Sequence, residues 1–291
     1  MLAACYSRIP MSVPAQYIPA AYSLTAVGVW GASDFLGGVG SRRVNAFLFT
    51  AIVHISGLIA VAALALMMHQ PFLTNAGVVW SLISGAVGGM ALALFYRALA
   101  SGNMGLVAPV AAVVGAAIPA IVTSFAEGFP GSRHVVGFIL AGIGVWLISR
   151  TEAGAGRPEG LGMAVLAGIG FAGFYLCVHQ AGNASPLWIA ACSRSGAFMV
   201  TGSIVLFGRY LRAVPIPMLA IALLAGIFDV TGSAVFIRAS QIGRLDDAVV
   251  LSSLYPTVTV VLARIILHEH FSRARTVGML AALAAVPMIA G

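Results

Sequence analysis

An all-α membrane protein of ten transmembrane helices, arranged as two inverted five-helix repeats, is the fold class this sequence predicts. Three observations predict it. Hydrophobic residues fill 60% of the 291 positions and charged ones 8%, at a mean hydropathy of +1.03, whereas a soluble domain carries about a quarter charged residues. Ten apolar runs follow one another along the chain, each close to the roughly 20 helical residues that cross a hydrocarbon core of about 30 Å. Finally, one constant offset of 141 residues matches Gly85, Ala93, Phe95, Arg97, Ala98, Gly102 and Gly137 to Gly226, Ala234, Phe236, Arg238, Ala239, Gly243 and Gly278.

The runs lie near 20 to 40, 45 to 68, 77 to 100, 104 to 124 and 133 to 149, and again near 160 to 180, 186 to 207, 217 to 239, 247 to 267 and 273 to 290. They are continuous and rich in Ala, Leu, Val and Gly, without the alternation of barrel strands. Between the two sets, residues 151–159 form the longest polar stretch. The expected organisation is therefore an N-terminal tail (1–19), a first repeat (20–150), a linker (151–159) and a second repeat (160–291). Met1 and Met11 both stand as possible starts. An odd number of helices per repeat makes the second copy enter the membrane from the opposite side, so the halves are inverted. Inverted repeats are the architecture of secondary transporters, with the substrate near the midplane where they meet.

All 15 basic residues are arginines, and the pI is about 9.9. They are spread through the connections rather than clustered, which fits headgroup contact and orientation and not nucleic acid. Arg42, Arg43, Arg150, Arg157, Arg209, Arg212, Arg273 and Arg275 follow the odd-numbered runs, while the other side has Arg8, Arg133 and Arg244. Eight against three places the odd connections in the cytoplasm and both termini outside. Cys5, Cys177 and Cys192 have neither metal-ligand spacing nor an even count for a disulfide framework. No Walker A motif is present, and no nucleophile motif lies within a run, so neither ATP-driven pumping nor an enzyme is expected, and no cofactor.

Phe95-Tyr96-Arg97-Ala98-Leu99 with Gly102, its copy Phe236-Ile237-Arg238-Ala239-Ser240 with Gly243, and Leu254-Tyr255-Pro256-Thr257-Val258-Thr259 followed by Glu269 and Gly278 carry a resemblance. Over residues 20 to 290 the chain resembles the drug/metabolite transporter superfamily, in particular its ten-helix EamA-type members. The resemblance implies a secondary carrier in a bacterial cytoplasmic membrane, commonly an exporter of amino acids or other small metabolites. It also implies a central cavity lined by the first, third and fourth helices of each half, and cytoplasmic termini, against the charge count. In the first half Val114-Gly115 stands where Tyr255-Pro256 stands in the second, so the halves need not bind substrate alike. A channel, a membrane scaffold and an intramembrane enzyme are the competing classes.

Ionisable groups inside a bilayer are costly and mark candidate sites. Asp34, His54, Arg194, Asp229 and Arg264 lie within runs and are expected to face protein or a watery cavity. Trp30 and Asp34 stand one helical turn apart on one face, and their 141-offset counterparts Phe171 and Tyr175 repeat the spacing. Aromatic walls around a carboxylate suit a zwitterion or an amine. Arg194 offers a fork for a substrate carboxylate, or a partner for Asp229 or Asp34. Asp229, whose counterpart is Gly88, could load and release a coupling proton, and His54 could join that relay or simply pack. Pro109, Gly115 and Pro119 are expected to interrupt the fourth helix and Pro256 the ninth, exposing backbone that is tolerated only in protein or beside a cavity. Tyr255 is then the expected polar aromatic lining. Arg97 and Arg238 fall at helix ends, where long side chains reach headgroups. Gly137 with Ala141, and Gly278 with Ala282, are small pairs four apart that would suit either packing within a monomer or a homodimer face.

Overall fold

The computed structural model describes residues 15–101, 104–126, 128, 131–149, 160–267 and 273–290. The tail up to residue 14 with both candidate start methionines, the linker 151–159, Gly102 and Glu269 lie outside the described residues. After a short 3-10 turn at Ala15–Tyr17 come α1 (Ile18–Ser41), α2 (Ala46–Met67), α3 (Asn75–Ala100), α4 (Met104–Ala126) and α5 (Ser132–Ser149). The second set is α6 (Leu161–Gln180), α7 (Pro186–Phe207), α8 (Ile216–Ile242), α9 (Leu245–Ser252), α10 (Tyr255–Leu267) and α11 (Arg273–Ala290). No strand occurs among the described residues. Among the described residues, seven helices are long and apolar enough to cross a bilayer, and α9 with α10 counts as one of them, Leu245–Leu267.

Local chemistry sets the helix starts. The Asn45 side chain accepts from the backbone N–H groups of Phe47 and Leu48, and Thr74 from that of Gly77, which satisfies donors that an α-helix leaves orphaned in its first turn. Pro186 opens α7 where a missing N–H has no consequence.

Glycine sets the crossings. Helix α3 packs along α6 and α7, α8 along α1 and α2, α4 against α6, and α5 against α11. A Cβ on Gly85 would strike the Ser193 carbonyl of α7, and one on Gly226 would strike Ser56 and the Val53 carbonyl of α2. The two glycines matched at the 141-residue offset thus serve one purpose: they let backbones touch, which is how helices gain packing where lipid supplies no hydrophobic drive. The small residues of α5 are used within the chain, since Ala141 shares a buried cluster with Ala285 of α11.

Three expectations are corrected. Helix α4 runs unbroken through Pro109 and Pro119, because each proline removes only one backbone bond and the surrounding turns are held against α6. Gly115 is part of that hold, with room for a Cβ no closer than 3.4 Å to the Gly168 carbonyl and to Phe171. The ninth span does break, but at Ser253–Leu254, and Pro256 is the second residue of α10, a position proline favours. A third correction concerns Arg264, in the last turn of α10, which is exposed rather than turned inward.

At one end of the bundle the connections are tied together. Trp188 Nε1 donates to the Gln70 carbonyl at 2.9 Å. Gln241 Nε2 donates to the Gly182 and Ala184 carbonyls at 3.0 and 2.9 Å. Arg244 reaches the Gly128 carbonyl at 3.3 Å while forking onto Asp246.

Candidate functional site

Helices α1, α3, α6, α7, α8 and α10 surround a small central cavity of about 50 Å³. Trp30, Asp34, Phe171, Phe174, Tyr175, Ser193, Arg194, Asp229, Ser233 and Tyr255 line it, with Gly85, Gly88 and Gly89. The turn-spaced pairs on α1 and α6 meet here, the Trp30 and Tyr175 rings standing 6.2 Å apart. The Trp30 indole lies against Gly232, where a Cβ would collide with it, and donates to the Asp229 carbonyl at 3.1 Å. Behind this wall Phe236 packs on Tyr175 at 4.9 Å and on Trp30 at 5.5 Å, while Phe95 packs on Phe171 at 5.5 Å and Tyr255 at 6.3 Å. Both supporting rings are fully buried. An aromatic cage with rings fixed by other rings presents π-faces at no further ordering cost.

The charges divide into a closed set and an open one. Arg194 NH1 meets Asp229 Oδ2 at 2.5 Å and His54 Nδ1 at 3.2 Å, and NH2 donates to the Ser233 hydroxyl. A guanidinium only donates, so His54 Nδ1 is an acceptor here. Ser233 in turn donates to the Asp229 carbonyl at 3.0 Å. Arg194, Asp229 and His54 are all buried. Asp34, also buried and lining the cavity, makes no hydrogen bond or ion pair among the described residues. Nearby, the Tyr255 hydroxyl is buried with no hydrogen-bond partner among the described residues. The cavity therefore holds one cation matched by one carboxylate, a second carboxylate to spare, and an unsatisfied phenol.

Trp30, Asp34, Phe171, Tyr175, Arg194, Asp229 and Tyr255 line the cavity, His54 stands behind Arg194, and Gly115 lies beneath Phe171 and Tyr175. Pro109, Pro119 and Pro256 do not line it; they belong to the helices around it. Sequence reasoning missed Phe174, Ser193 and Ser233, which carry no signal in an apolar helix. It also passed over Phe95 and Phe236 as site residues, although the repeat had matched them. Gly88, the counterpart of Asp229, leaves the space that the Phe174 ring fills, its Cβ position being 3.0 Å from that ring.

Residues 158–291 match the EamA-like transporter family. A solved crystal structure shares the fold over 93% of this chain and 95% of its own, with a TM-score of 0.71 and 19% sequence identity. No curated protein matches the sequence. The matched residues supply Phe171, Tyr175, Arg194, Asp229, Ser233 and Tyr255, and the part of the chain before them supplies Trp30 and Asp34. The apolar helices of spanning length among the described residues make this a multi-pass membrane protein, and both of its halves build the cavity.

Proposed function

We propose that this protein is a secondary transporter of small organic molecules that carry an ammonium group on an apolar body, working by alternating access between two inverted five-helix halves. Export is the direction the family resemblance implies. The observation that carries the reading is Asp34: a carboxylate in an aromatic cage with no partner among the described residues, while the cavity's guanidinium is already held by Asp229, His54 and Ser233.

An ammonium bound beside Asp34 replaces lost hydration with an ion pair, and the faces of Trp30, Tyr175 and Tyr255 add cation–π attraction of about 0.5 to 2 kcal/mol. The Tyr255 hydroxyl gains a partner at the same time. An amino acid would satisfy Asp34 with its amino group, but its carboxylate would have to displace Asp229 from Arg194, so the geometry favours amines over zwitterions. A proton and an ammonium compete for Asp34, and that exclusion is what couples their opposite movements. The bonds from Trp188, Gln241 and Arg244 close one end of the bundle and have to break in the alternate state.

Counterflow into proteoliposomes tests the proposal, with radiolabelled arylalkylamines as probes. Preloaded unlabelled amine is expected to accelerate uptake in the parent, and Asp34→Asn to abolish that uptake while the variant stays folded. Uptake without trans-stimulation would indicate a channel, and equal uptake by Asp34→Asn would remove the assigned role.

A further inference from the structure

We infer that the end of the bundle opposite the tied connections carries a binding site for the phosphodiester headgroup of an anionic phospholipid. A second cavity, of about 320 Å³, opens there between the α1–α2 connection, the end of α3 and the α7–α8 connection. Its walls include Ser41, Asn45, Phe47, Arg97 and Tyr210. The Phe47 and Tyr210 rings stack at 6.0 Å and 12°, and the Arg97 guanidinium lies 6.0 Å from the Phe47 centroid. Contact with the ring face holds the guanidinium near the cavity. Arg97 has no carboxylate partner among the described residues, and the buried Ser41 hydroxyl has no hydrogen-bond partner among them.

The surroundings carry the same sign. Residues 42–45 contribute Arg42 and Arg43, residues 208–215 contribute Arg209 and Arg212, and neither connection contains an acid. All four arginines are exposed. Guanidinium forks with a hydroxyl beside them match phosphate geometry, and basic residues near an anionic leaflet add electrostatic attraction. Phosphate chemistry could come from a lipid or from free phosphate. Lipid is favoured because the apolar side chains of Leu206, Phe207 and Leu211, exposed by 68, 84 and 68%, lie alongside Tyr210 in sequence, where acyl chains would run. The matched residue Arg238 lies near the other end of the bundle, one turn before Gln241, which bonds the Gly182 carbonyl.

The test uses the purified full chain in detergent, titrated with short-chain phosphatidylglycerol, phosphatidylcholine or inorganic phosphate, and read by native mass spectrometry and unfolding midpoint. Phosphatidylglycerol is expected to stay bound and raise the midpoint, with phosphatidylcholine weaker by about tenfold or more and inorganic phosphate without effect at equal concentration. Arg97→Gln is expected to weaken phosphatidylglycerol about tenfold, Arg97→Lys less, and both are to keep the parent's unfolding midpoint without lipid because the side chain is exposed. Equal phosphatidylglycerol affinity in Arg97→Gln overturns the site. Stabilisation by inorganic phosphate to the same extent overturns the lipid assignment. Amine binding at Asp34 is unchanged in these variants if the two sites are independent, so this inference stands or falls apart from the transport proposal.

Discussion

Removing the Asp229 charge is the most demanding test of the cavity's electrostatics. Asp229→Asn keeps an oxygen facing Arg194 NH1 but leaves the guanidinium with only neutral acceptors: the amide, His54 Nδ1 and the Ser233 hydroxyl. Both partners of the pair are 6% exposed, so water does not replace the lost charge. Breaking a buried pair from one side costs about 3–5 kcal/mol, and the retained hydrogen bond puts this variant near the lower figure. At roughly 2–4 °C per kcal/mol for a chain of this order of size, the unfolding midpoint is expected to fall by about 6 °C or more. Arg194→Gln should cost less, because the stranded carboxyl can take up a proton whereas a guanidinium cannot. The double variant Asp229→Asn with Arg194→Gln should recover a large part of the loss, since no buried charge is left over. The assay is the unfolding midpoint of parent, both single variants and the double variant in one detergent. Additive losses in the double variant, or a midpoint unchanged in Asp229→Asn, would refute the reasoning that Arg194 is neutralised by Asp229 and that Asp34 is left without a cation.

Amine binding should depend on pH through Asp34: the ammonium needs the ionised carboxylate, so affinity is lost as pH falls through its titration, by about tenfold per unit below it. Calorimetric titration of parent and Asp34→Asn across the pH range checks this, the variant being weak and flat; a parent profile as flat as the variant's would count against proton–amine competition. Gly85→Val and Gly226→Val should each force a helix crossing apart, at a cost of about 1–3 kcal/mol, measured as a lower unfolding midpoint; parental midpoints would mean the crossings of α3 with α7 and of α8 with α2 are not tight. A fluorescent protein that matures only in the cytoplasm, fused after Gly291, should stay dark if the arginine distribution orients the chain with its termini outside. Bright cells at normal expression would overturn that orientation and agree with the family resemblance instead.

Hydropathy by itself determined where the helices lie. Nine of the apolar runs each coincide with one helix whose ends are within a few residues of those read from composition, and the ninth run with α9 and α10 together, because a backbone in hydrocarbon has to bond within its own segment. The 141-residue offset likewise announced Gly85 and Gly226, and the turn spacing of Trp30 with Asp34 and Phe171 with Tyr175 announced the aromatic wall, since both are one-dimensional patterns. Pairing was a different matter. Arg194 could as well have met Asp34 as Asp229, and only the placement of α7 against α2 and α8 brought it to Asp229, His54 and Ser233 and left Asp34 open to the cavity. The prolines show the same division: identical chemistry leaves α4 continuous over Gly115's contact with α6, yet the span Leu245–Leu267 is broken two residues before Pro256. A proline removes one donor wherever it stands, but whether the helix then parts depends on neighbours that are distant in the chain, and those contacts exist only in three dimensions.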